Sequence, residues 1–114
     1  MSHTIEDYLQ DIIDAIDAAE QFIAGLDFAT FESDRKTIFA VTRAVEIIGE
    51  ASKQIPAELK EQYPHMPWKD IAGMRDKMIH QYFGINLRVL WNTVNHDLTP
   101  LKVAIETMLN TLNQ

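Results

Sequence analysis

Three side chains able to do chemistry together fall within eight positions: Arg75, His80 and Tyr82, in the stretch MRDKMIHQYFG. A guanidinium stays charged and can hold two phosphate oxygens at once. An imidazole gives or takes a proton near neutral pH. A phenol donates a hydrogen bond or accepts a modifying group. The combination suits work on a phosphodiester. Two of them also have an ordinary reading: an arginine whose stem packs on the core beside a carboxylate, and a surface or satisfied histidine.

Helical geometry sharpens the choice. At about 100° per residue, Ile71, Met78 and Tyr82 fall within about 20° of one direction, and Arg75 lies about 40° from Ile71. An arginine inside an apolar stripe needs a carboxylate, a subunit interface or a cleft for an anion, because an unpaired buried charge is costly. His80 is about 140° from Arg75 and about 160° from Tyr82. The three cannot converge on one straight helix. Either the helix loosens between His80 and Gly84, or two chains build the site. The apolar content of the stripe favours a contribution from a second chain.

The elements that must hold these residues are all helical. Ile5, Tyr8, Leu9, Ile12, Ile16, Ala19, Ile23 and Leu26 recur at three- and four-residue spacing, with Thr4 and Asp7 as an N-terminal cap and Gly25 at the end. The segment LDFATFES is expected to be a connection, with Ser33 capping the second helix, DRKTIFAVTRAVEIIGEASKQI. That helix sets Ile38, Val41, Val45, Ile48 and Ile55 on one stripe, and Ala40, Ala44 and Ala51 allow close approach of a neighbour. Pro56 opens a short turn of helix, PAELKEQY, and PHMP breaks the chain. A third helix starts near Trp68 and carries Arg75 and His80, with Gly84 at its C-terminus. Asn86 caps a fourth, LRVLWNTVNHDL; Thr99 and Pro100 open a fifth, PLKVAIETMLNTL. Residues 1–114 are thus expected to form one domain, an all-α up-and-down bundle of four long helices plus a short one.

Composition narrows the function classes. No Cys is present, so disulfides and thiolate metal sites contribute nothing. No apolar run reaches the roughly 20 residues of a membrane span, and the N-terminus does not read as a signal peptide. A cytoplasmic protein with no membrane association is expected. The net charge of −7 argues against sequence-blind coating of nucleic acid. The acidity is concentrated: residues 1–34 hold nine of the seventeen acids and no Lys or Arg, leaving eight acids against all ten bases in 35–114. The first helix is therefore either a solvated face or one that greets a basic partner.

His3, His65, His80 and His96 show no metal-ligand spacing, and no metal or other cofactor is expected. Trp68 and Trp91 read as core anchors ahead of base-stacking platforms. Arg43, Glu46 and Glu50 share one face of the second helix. They form either an ion-pair ladder or a source of carboxylates that orient Arg75 or His80.

The run RDKMIHQY, with PWKDIAGMRDKMIHQYFGIN around it, the IIGEA helix before it and the tryptophan of LRVLWNTVNHDLTPL after it, resembles the HEPN-domain ribonucleases of the HepT type across nearly the whole chain. The resemblance implies an HEPN fold, a homodimer with the two motifs facing a shared cleft, and metal-independent endonucleolytic cleavage of RNA by Arg75, His80 and Tyr82. It further implies a toxin–antitoxin pair. In such a pair a nucleotidyltransferase-fold antitoxin of the MntA kind transfers AMP from ATP to Tyr82 and silences the toxin. A catalytically idle dimer that binds nucleotide or a partner protein is the alternative.

Overall fold

The structure, a computed structural model, describes backbone for residues 4–80 and 86–114 and side chains for 4–74 and 86–114. Helix α1 spans Ile5–Ile23, and its start is set by a reciprocal cap. Asp7 N–H donates to Thr4 Oγ1 at 3.2 Å, and Thr4 N–H donates to Asp7 Oδ2 at 3.0 Å. Two of the donors a helix start leaves unpaired are so satisfied. The helix stops where expected: Gly25 has φ of +79°, a left-handed conformation that an L side chain adopts only under strain.

The segment expected to be a connection is a helix. Residues Phe28–Ser33 form α2, capped by Asp27, whose carboxylate accepts from Thr30 N–H at 2.8 Å. Ser33 is its last residue and not a cap; its hydroxyl donates back to the Ala29 and Thr30 carbonyls. The cap of α3, Arg35–Ser52, is Asp34, which accepts from both the amide and the hydroxyl of Thr37. These hydrogen bonds favour the ionised carboxylates, so both Asp27 and Asp34 titrate below the ordinary aspartate range.

Helix α4, Ala57–Lys60, is a single turn opened by Pro56. Helix α5 spans Trp68–His80 and α6 spans Leu87–Asn92. Asn86 caps α6 as expected, accepting from Val89 N–H at 3.2 Å. The anticipated break at Thr99–Pro100 does not occur. A π-helical turn, Thr93–Asp97, leads from α6 directly into α7, Leu98–Leu112. The wide turn is closed by Leu98 N–H donating to the Thr93 carbonyl, five residues back. Pro100 then sits in the first turn of α7, where a missing N–H costs little.

The bundle is all-α and no strand occurs among the described residues. Helix α3 is its spine: it packs on α1 and on α5, while α1 packs on α7 and α2 links α3 to α6. The apolar stripes meet in one core. Leu9, Ile12 and Ile16 of α1, Val41, Val45 and Ile48 of α3, and Leu98, Ile105 and Met108 of α7 are at most 1% exposed. Burying side chains of this size is favourable by roughly 1.5–3 kcal/mol each. Ile55 joins the core, whereas Ile38 is only half-buried against it. Ala44 and Ala51 are buried, as close helix approach requires. An ion pair also ties α7 to α1, with Lys102 Nζ 2.6 Å from Asp17 Oδ1; that bond holds the Lys102 ammonium above its usual range.

Candidate active site

The helix that carries Arg75 and His80 is anchored at its start. Trp68 Nε1 donates to the carbonyls of Lys60 and Tyr63, each at 3.1 Å, which fixes the loop after α4 against the first turn of α5. Ile71 is 4% exposed in the core, and Met74 packs half-buried against it. Trp68 is therefore a structural anchor, in line with its sequence reading. Ile71, the first residue of the expected apolar stripe, lies in the core.

Arg75 and His80 are both positions of α5, and α5 is regular helix through His80. Five residues of unbroken helix separate the two by about 140° around the axis. Their side chains, the whole of residues 81–85 with Tyr82 and Gly84, and the side chain of Met78 lie outside the described residues.

Across the helix pair, α3 presents two different edges. One edge lines a cleft of about 620 Å³ shared with α1, with Tyr8, Asp11 and Asp14 facing Arg43, Glu50 and Gln54. Three carboxylates against one guanidinium make that cleft hostile to a phosphodiester. Exposed Glu50 belongs to it. The opposite edge, Thr42, Val45, Gly49 and Ser52, is buried, and the Ser52 hydroxyl is satisfied by donating to the Gly49 carbonyl at 2.8 Å. Glu46 sits about 40° from Thr42 around the axis. It is 23% exposed and 3.3 Å from Arg43 Nη1, whose own side chain is 64% exposed. The first rung of the expected intrahelical ladder is thus formed. Surface pairs of this kind contribute under about 1 kcal/mol.

A second cluster was not apparent from sequence. Trp91 packs against the buried Phe31, ring centroids 5.2 Å apart, and meets Phe28 edge-on at 6.0 Å. The Arg88 guanidinium lies 3.6 Å from the centre of the Phe28 ring. Recognising DFATF as an Asp-capped helix would have exposed the Phe28–Phe31 pair and its need for aromatic partners.

His65 and His96 are exposed. Among the described residues no three His, Asp, Glu or Cys side chains are grouped as a metal ion would need, and no helix is long and apolar enough to cross a membrane.

Comparison with known proteins places this geometry in context. The sequence model of a family described as Ribonuclease HepT-like matches residues 12–108. A protein of Thermococcus cleftensis named "Probable ribonuclease HepT" is 50% identical over 95% of this chain and 98% of its own length. A candidate RNase of Methanocaldococcus jannaschii is 38% identical over 96% of this chain and 95% of its own length. A candidate RNase of Caldanaerobacter subterraneus subsp. tengcongensis is 39% identical over 90% and 91%. No solved structure matches the chain significantly.

Proposed function

We propose, from the premise that the chain belongs to the Ribonuclease HepT-like family, that it is a metal-independent RNA endonuclease whose centre is Arg75, His80 and Tyr82. The observation that carries the reading is near full-length similarity to proteins named as ribonucleases, in a bundle whose spine packs directly on the helix of Arg75 and His80.

Cleavage without a metal needs a base for the 2′-OH proton, an acid for the departing 5′-oxygen, and positive charge on the phosphorane between them. The 2′-oxygen attacks phosphorus and the P–O5′ bond breaks, leaving a 2′,3′-cyclic phosphate and a 5′-hydroxyl. His80 is assigned the proton transfers and Arg75 the grip on the non-bridging oxygens. Tyr82 orients the phosphate or His80. The 140° offset of Arg75 and His80 on regular helix is the reason for placing the centre between two chains of a homodimer. One His80 is then base and its mate acid. Glu46, on the flank of α3 next to its buried edge, is the better placed of the two supporting carboxylates to orient Arg75; Glu50 is assigned to the acidic cleft.

The finer reading is a toxin of a toxin–antitoxin pair acting in the cytoplasm. Its partner is a nucleotidyltransferase that moves AMP from ATP to the Tyr82 phenol. The support is the arginine–histidine–tyrosine spacing, which sets a modifiable phenol two residues from the catalytic imidazole.

Product-end analysis tests the activity. Purified chain in EDTA is expected to cut single-stranded RNA and leave 2′,3′-cyclic phosphate and 5′-hydroxyl ends. A strict requirement for Mg²⁺, with 3′-hydroxyl and 5′-phosphate ends, would overturn the mechanism.

A further inference from the structure

We propose that Arg88, whose guanidinium lies over the Phe28 ring, is an RNA-binding residue that holds a phosphate flanking the scissile one. The inference rests on the ribonuclease reading above. An exposed arginine normally keeps its rotamer freedom and surrenders it on binding. Arg88 is exposed, yet its guanidinium is 3.6 Å from the ring centre. The ring is itself braced by Phe31 at 6.4 Å and by Trp91 at 6.0 Å. Phe31 is fully buried, so the seat is continuous with the core. A guanidinium held over a ring by its central carbon, with no hydrogen bond to it, keeps its N–H donors for the fork that suits phosphate oxygens.

Its charge is uncommitted among the described residues. Arg43 is engaged by Glu46 and Lys102 by Asp17, whereas Arg88 has no carboxylate partner among the described residues, and the first turn of α6 holds no acid. The position also fits. His80 lies in α5, and α6 begins at Leu87. Eight residues of chain span at most about 28 Å, so Arg88 lies within reach of a few nucleotides from the imidazole.

The test compares Arg88→Gln with Arg35→Gln, which removes the same charge from an exposed arginine whose guanidinium is 5.8 Å from the Phe39 ring. Binding is measured against a 2′-O-methylated single-stranded RNA, which lacks the attacking hydroxyl, from 50 to 200 mM salt. Arg88→Gln is expected to weaken binding on the order of tenfold and to lower the log–log salt slope by about 0.7. On cleavable RNA it raises KM with little change in kcat. Arg35→Gln is expected to leave the slope as in wild type. Arg88→Lys keeps the slope but loses affinity, because an ammonium does not stack as a plane. Wild-type affinity and slope in Arg88→Gln, in a chain that still cuts RNA, would overturn this assignment alone. A chain that neither cuts nor binds RNA would overturn the ribonuclease reading with it.

Discussion

Alanine in place of His80 is expected to slow RNA cleavage in EDTA by about 10²- to 10⁴-fold, the range that a positioned proton-transfer group supplies. RNA affinity should change far less, since phosphate contacts come from the arginines. The substitution is mild for the fold, because alanine is the best helix former and the position lies in α5. A thermal melt close to wild type would separate loss of chemistry from loss of structure. His80→Asn, which keeps a similar size but does not titrate, should be as slow as alanine. A His80→Ala chain that cuts at the wild-type rate would remove the imidazole from the mechanism.

The second large effect concerns Tyr82. Co-expression with the proposed nucleotidyltransferase partner is expected to add AMP to the wild-type chain, seen as a discrete increase in intact mass, and to abolish RNA cleavage. Tyr82→Phe deletes only the acceptor oxygen and should gain no mass at all. Silencing of this kind would have a direct cause. A nucleotide phosphate on the phenol adds bulk and negative charge where the RNA phosphate must approach Arg75, so substrate is opposed by sterics and by like charge. Equal AMP addition to Tyr82→Phe, or undiminished cleavage by the modified chain, would contradict the role given to this residue.

Much of the bundle is legible in the sequence because its signals are local. Thr4 with Asp7 and Asn86 with Val89 are caps that close within four residues, and structure and sequence agree on both. The core stripes of α1 and α3 repeat often enough to define a face. Helix α2 escaped because six residues are less than two turns, too short to display a helical period. Misreading it shifted the cap of α3 by one residue, from Asp34 to Ser33. Thr99–Pro100 carries the signature of a helix start, yet the same residues fit inside a first turn once a π turn precedes them.

The candidate site divides in the same way. Arg75, His80 and Tyr82 stand out because their spacing is local. The convergence proposed for them is not local, since it would involve a second chain that one chain's periodicity does not encode. Arg88 gave no signal for a related reason. The ring that seats it is sixty residues away, in a segment that read as a loop. Glu46 and Glu50 looked equivalent in sequence, and packing separates them: one is 23% exposed and paired with Arg43, the other lines the acidic cleft beside α1.

The account depends most on two chains sharing one catalytic centre, and a mixed dimer tests this directly. Wild-type and His80→Ala chains carrying different tags can be co-expressed and the heterodimer isolated. Its rate is then compared with each homodimer. Shared centres leave the heterodimer without a complete pair of imidazoles, so its activity should fall close to that of the His80→Ala homodimer. A heterodimer that keeps half the wild-type rate would show that each chain works alone, and the shared centre would have to be abandoned.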